Sequence, residues 1–189
     1  MTSLVPLVED ARRAQLETAQ IKALRLFDAI EREKLVRPGV SERQVEDEIG
    51  DLAAREFGVE KHWHRRIVRA GANTITIAGD NPPVRILEAD DIVYVDLGPV
   101  FEAWEADIGR SYVLGDDPKK RQLVADLPRI FDAVQAHYHR DPGMSGAALY
   151  AYAQKAAEDS GWRFGGKIAG HIVSEFAHAL IPGDKALNR

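Results

Sequence analysis

Two aspartates stand inside apolar, β-branched runs, and no other feature of this chain limits its fold as tightly. The first run is Ile92-Val93-Tyr94-Val95-Asp96-Leu97-Gly98, and the second is Glu105-Ala106-Asp107-Ile108-Gly109-Arg110-Ser111-Tyr112-Val113. Segments of this kind form strands, where aspartate is depleted. Their closeness in sequence predicts an antiparallel hairpin over residues 91–98 and 104–114. With the loop centred between Phe101 and Glu102, Asp96 faces Asp107 directly, and Gly98 and Gly109 share their face. Opposed residues have Cβ atoms roughly 4.5–5.5 Å apart, a distance at which two ionised carboxylates repel. Such a pair needs a shared proton or a cation between the groups. The glycines leave room for one, and a shared carboxylate can hold two metal ions about 3.5–4 Å apart. Aspartates that cap strand ends or face solvent would give the same letters, so the residues alone leave the two readings level.

The flanking sequence is helical. Over residues 8–35, Leu16, Ala19, Ala23, Phe27 and Ile30 recur every three or four positions, with Leu24 widening the stripe. Pro38-Gly39 breaks the pattern, and Ser41 with Gln44 predicts a capping box at the start of a second helix, which ends near Phe57-Gly58. Residues 62–68 read as extended, and Asn73 to Ile77 is rich in β-branched residues. A further helix is expected from Pro118 with Asp117 as its cap and a kink or split at Pro128. Another runs from Ser145 to a stop at Gly161. A last strand is expected over 167–173. Helices before and after a mainly antiparallel sheet make this an α+β chain.

Of the six histidines, His171 lies in an apolar, strand-like run after Gly170, and His178 follows seven residues later. A neutral imidazole there suits a metal ligand as well as a hydrogen-bonded core residue. His178 could donate to a developing oxyanion or close a strand. His62-Trp63-His64 places two imidazoles on one side of an extended segment. The pair could suit a metal, but with no acid fixed nearby in the sequence the stronger expectation is that it lines a pocket. His137 and His139 fall at a helix end, where cations offset the dipole.

The absence of cysteine excludes disulfides, thiolate metal sites and thiol nucleophiles. A net charge of −5, with Arg65, Arg66 and Arg69 as the densest basic group, gives no basic stripe for nucleic acid or an anionic membrane. Those arginines are read as a solvated face. No run of apolar residues reaches the ~20 that a membrane helix needs, and the N-terminus does not form a signal peptide, so the cytoplasm is the expected location.

Val95-Asp96-Leu97-Gly98, Glu105-Ala106-Asp107-Ile108-Gly109-Arg110 and Gly170-His171 with His178 beyond together resemble the pita-bread metallopeptidases, a family that includes aminopeptidase P, methionine aminopeptidase, prolidase and the metal-free creatinase. The resemblance implies a curved, mainly antiparallel sheet with helices on its outer side, forming one domain over residues 1–189. It also implies two divalent ions drawn from manganese, cobalt, zinc or iron. Asp96 would bind one, Asp107 both and His171 the other, around a metal-bridged hydroxide that attacks a peptide bond. His178 would contact the substrate or the tetrahedral intermediate, while His64 is expected at the substrate pocket on the reading of its own segment. The implied activity removes the N-terminal residue of peptides, as an Xaa-Pro aminopeptidase does, with a homodimer as the implied assembly. The family also uses two later glutamates and an upstream histidine. Only 18 residues follow His171, and residues 74–81 hold no histidine. On that ground the expectation is a chain truncated at its C-terminus, with weak or absent metal binding. The competing expectations are a non-catalytic module that binds a peptide or partner protein, and a creatinase-like hydrolase.

Overall fold

The computed structural model describes residues 4–77, 79–166 and 173–176; of residues 4–8 it gives the backbone only. Helix α1 (Leu4–Arg32) and helix α2 (Glu42–Phe57) precede six short strands: β1 (Lys61–His62), β2 (Ile67–Ala70), β3 (Ile92–Leu97), β4 (Pro99–Phe101), β5 (Trp104–Glu105) and β6 (Ile108–Val113). Helices α3 (Pro118–Arg140) and α4 (Gly146–Asp159) follow. The strands form two three-stranded sheets, ordered β2-β3-β6 and β1-β4-β5, with antiparallel pairing throughout. This is the α+β class expected. His171, His178 and residues 167–172 of the expected last strand lie outside the described residues.

The stripe of α1 turns Ala19, Ala23, Phe27 and Ile30 into the core, but Leu26 joins them and Leu24 stays 41% exposed. At 3.6 residues per turn, Leu24 sits roughly 100° from the centre of that stripe, whereas Leu26 sits only about 55° from it. In α2, Val45, Ile49, Leu52 and Ala53 are buried against the same core. Ser41 Oγ accepts from Gln44 N at 3.0 Å, and Gly58 closes the helix at φ 63°. The other half of the capping box is not made, because Gln44 Nε2 donates to Glu48 Oε1 instead.

Residues 73–77 are not a strand. Gly71–Ile75 forms a 3-10 turn, in which Thr74 Oγ1 and Thr76 Oγ1 donate to the carbonyls of Gly71 and Asn73, each at 2.7 Å. Local hydroxyl bonds of this kind compete with a sheet ladder. Asn73 Nδ2 donates to both oxygens of the buried Glu42. Glu42 also accepts from Ala70 N and Arg85 N, and so ties α2 to two loops. Of Arg65, Arg66 and Arg69, only Arg65 belongs to a solvated face. Arg69 is 6% exposed, Arg66 Nε donates to Glu46 O, and Arg65 reaches Asn81 Oδ1 and Asp80 O.

Asp117 caps α3 by accepting from Lys119 N and Lys120 N, and Ser145 caps α4 by accepting from Ala148 N. Gly161, at φ 81°, follows the end of α4. Pro128 does not split α3, which runs unbroken for 23 residues. Proline removes one donor, but Pro128 lies on an exposed face where water can serve the freed carbonyl.

Candidate metal centre

The hairpin that carries both aspartates is broken at Gly98 on one side and at Ala106 and Asp107 on the other. β3 pairs with β6 in a register that sets Asp96 opposite Gly109, and β4 pairs with β5 so that Val100 lies opposite Glu105. The loop is therefore centred between Glu102 and Ala103, with Glu102 at φ 62°, and the sequence-predicted pairing of Asp96 with Asp107 is off by two residues. A slip of two preserves the face of every side chain, whereas a slip of one would have inverted it. Asp107 accordingly remains on the side of Asp96, set diagonally across the junction at which one sheet gives way to the other.

The third strand supplies the imidazole. β1 places His62 opposite Pro99, and β2 places Ile67 opposite Asp96. Four residues, Trp63 to Arg66, thus span the interval that Leu97 and Gly98 cover on the partner strand. These extra residues form a bulge that re-aims the side chains within it. Trp63 fixes the bulge to both sides of the junction, donating its backbone N–H to Gly98 O and its indole Nε1 to Ala106 O, each at 2.9 Å. His64 packs edge-on against Trp63 at 4.3 Å between ring centroids. Gly98 makes the space for it, since a Cβ there would lie 2.4 Å from His64 Cδ2.

His64 Nε2 ends 3.8 Å from Asp96 Oδ1 and 3.8 Å from Asp107 Oδ1. One donor atom from each of the three residues lies within 4.8 Å of the other two. All three are partly shielded, with side-chain exposures of 19%, 35% and 32% for His64, Asp96 and Asp107. Burial disfavours the charged imidazolium, but the carboxylates of Asp107 and Asp96 outweigh it and hold the His64 pKa above its ordinary value.

His62 behaves differently. Its Nε2 is buried without a partner, and desolvation, followed by the charges of Arg66 and His64, pushes its pKa down to about 4. Both imidazoles line a cleft with Glu46, Asp47 and Glu60, but only His64 also joins the two acids. Sequence reasoning missed that juxtaposition, since strict alternation along the strand does not foresee the bulge. The available signal was Gly98, a residue with no side chain on the carboxylate face.

One imidazole nitrogen and two carboxylates form a donor set suited to zinc, cobalt, manganese or iron. The 3.8 Å separations from His64 lie within the about 4.2 Å that can separate a pair of ligands on one small ion. The residues present therefore fit a divalent metal. A second carboxylate group, Glu88, Asp90 and Asp91, is explained by the chain itself, since Asp91 Oδ2 accepts from Glu88 N to hold the turn before β3.

Comparison with known proteins agrees with this geometry. The model of metallopeptidase family M24 matches residues 14–184. The chain belongs to metallopeptidase family M24. An Xaa-Pro dipeptidase from Lactobacillus delbrueckii subsp. lactis is 26% identical over 127 residues, covering 67% of this M24 chain and 34% of that protein. The X-Pro aminopeptidase of Thermotoga maritima MSB8 superposes with a TM-score of 0.69 at 20% identity, over 87% of this chain and 46% of its own. Zinc-substituted aminopeptidase P of E. coli, solved in complex with product, gives a TM-score of 0.65 at 20% identity, over 79% and 33%. At these identities the superpositions establish the fold, which is the pita-bread architecture expected. The M24 chain spans between a third and just under half of the length of these relatives.

Proposed function

We propose that this chain carries a portion of a metal-dependent peptidase site that releases the N-terminal residue of short peptides, in the manner of an Xaa-Pro aminopeptidase. The observation that carries the reading is the convergence of Asp96, Asp107 and His64 at the junction of the two sheets, in a chain of family M24. Divalent ions, when bound, would polarise the scissile carbonyl and lower the pKa of a water molecule.

The residues themselves bind and orient. Asp96 and Asp107 would hold the ions. His171 would supply a further nitrogen, and His178 would donate to an oxyanion developing on the substrate. Asp96 sits on β3 among deeply buried neighbours, and Asp107 directly precedes β6. Val93, Val95 and Leu97 are each 0% exposed, so the Asp96 carboxylate is carried by a packed frame.

The test is hydrolysis of Xaa-Pro dipeptides and tripeptides, with added manganese, cobalt or zinc, by a longer chain that also carries the two later glutamates. The expected result is turnover that chelator abolishes and that Asp107→Asn reduces to background. Turnover insensitive to chelator, or retained in Asp107→Asn, would overturn the reading. Peptide binding that ignores both metal and chelator would instead identify a non-catalytic binding module.

A further inference from the structure

We infer that His64 is itself a metal ligand, so that His64, Asp96 and Asp107 form a one-imidazole, two-carboxylate site for a transition-metal dication. The inference rests on the metallopeptidase reading for the two acids, and adds a ligand from the bulge that precedes the hairpin.

Three observations carry it. The bulge, the two hydrogen bonds of Trp63 and the bare Cα of Gly98 all serve to seat the His64 ring over the carboxylates. A Cβ at Gly98 would come within 2.7 Å of His64 Nε2 itself, so the nitrogen occupies volume that any other residue there would claim.

The ring is also oriented. His64 Nδ1 lies 2.6 Å from Arg65 O, and a carbonyl only accepts, so Nδ1 carries the hydrogen and Nε2 is the atom turned towards the acids. Metal-bound imidazoles are held in the same way, with the far nitrogen donating to a carbonyl that fixes the tautomer.

Finally, Nε2 stands equally far, at 3.8 Å, from one oxygen of each acid. That is longer than an N–H···O hydrogen bond, and within the span of two ligands on one ion. An imidazole nitrogen in the set favours zinc or cobalt over magnesium or calcium.

The experiment is calorimetric titration of zinc and of cobalt into the metal-stripped chain, its His64→Phe and His64→Ala variants, and Asp107→Asn. His64→Phe keeps a ring against Trp63 and removes both nitrogens. Each His64 variant is expected to weaken zinc binding at least about tenfold with an unchanged far-UV spectrum. An imidazole that served only as a positive counter-ion would compete with the metal, so affinity equal to or above that of the unmodified chain overturns the inference. Unweakened binding in Asp107→Asn would instead overturn the underlying metallopeptidase reading, which keeps the two failures apart. If both His64 variants misfold, nitrogen NMR of the unmodified chain decides. Zinc must move the His64 Nε2 resonance into the range of ligated nitrogen, and an unmoved resonance overturns the inference.

Discussion

Two regions of this molecule are held together by different forces. In the region made of α1, α2 and the two sheets, Phe27, Leu26, Ile30, Ile49, Leu52 and Leu97 are among the largest side chains wholly removed from water. In the α3–α4 pair only Asp126 and Ala157 are buried, while Phe131 stays 64% exposed. What joins that pair is polar and aromatic. Asp126 accepts from Trp162 Nε1, Gln122 and Arg129, and His137 stacks on Tyr152 with centroids 3.7 Å apart. The candidate centre lies wholly in the first region. Close placement of charged groups thus coincides with deep apolar packing, and the helical pair gives the centre no side chain among the described residues.

The contrast breaks most severely if its apolar side is cut. Phe27→Ala should cost about 3–5 kcal/mol in chemical denaturation, the usual cost for a buried phenylalanine, and lower metal affinity with it. A loss below about 1 kcal/mol would mean that α1 does not support the sheets. Glu42→Gln comes next, at about 1–3 kcal/mol, because the amide turns a donor towards the N–H groups of Ala70, Arg85 and Asn73. Hydrogen exchange should then rise at Ala70 and Arg85 and stay unchanged in α4.

On the polar side, the hydrogen bonds from Trp162, Arg129 and Gln122 hold the Asp126 pKa down to about 2. Because the folded value lies below the unfolded one, its stabilisation is complete above about pH 4 and is lost as pH falls towards 2. Protection of the Trp162 indole N–H should follow that window, and Asp126→Asn should abolish the dependence. An identical acid profile for the variant would show that the carboxylate holds nothing. The smallest effect is expected of Phe131→Ser, within about 0.5 kcal/mol in this chain. A larger loss would show that the exposed ring is already engaged.

Much of the site was legible from residue types. Asp96 and Asp107 announced themselves as acids in strands, and the expectation survived a wrong register because a shift of two leaves each side chain on its face. The register itself was not legible. It depends on Glu102 adopting a positive φ, which a residue of its type rarely does and no neighbour announces. His64 was assigned to a pocket and not to the acids, because its approach depends on two residues more on one strand than on the other. The stretch 73–77 misled for a different reason. Its threonines carry strand propensity, but their hydroxyls satisfy the local backbone. Helices were read more safely, since Ser41, Asp117 and Ser145 act through bonds that span only two or three residues.

The anchoring of Trp63 has a consequence for selectivity. Its two bonds bind the histidine-bearing segment to main-chain oxygens on both sides of the break, so the backbone from which the imidazole approaches the acids is fixed. Should an ion bind there, a histidine segment fixed at both ends would favour one ionic radius over another. Loosening the tryptophan should therefore blur the preference among ions before it abolishes their capture.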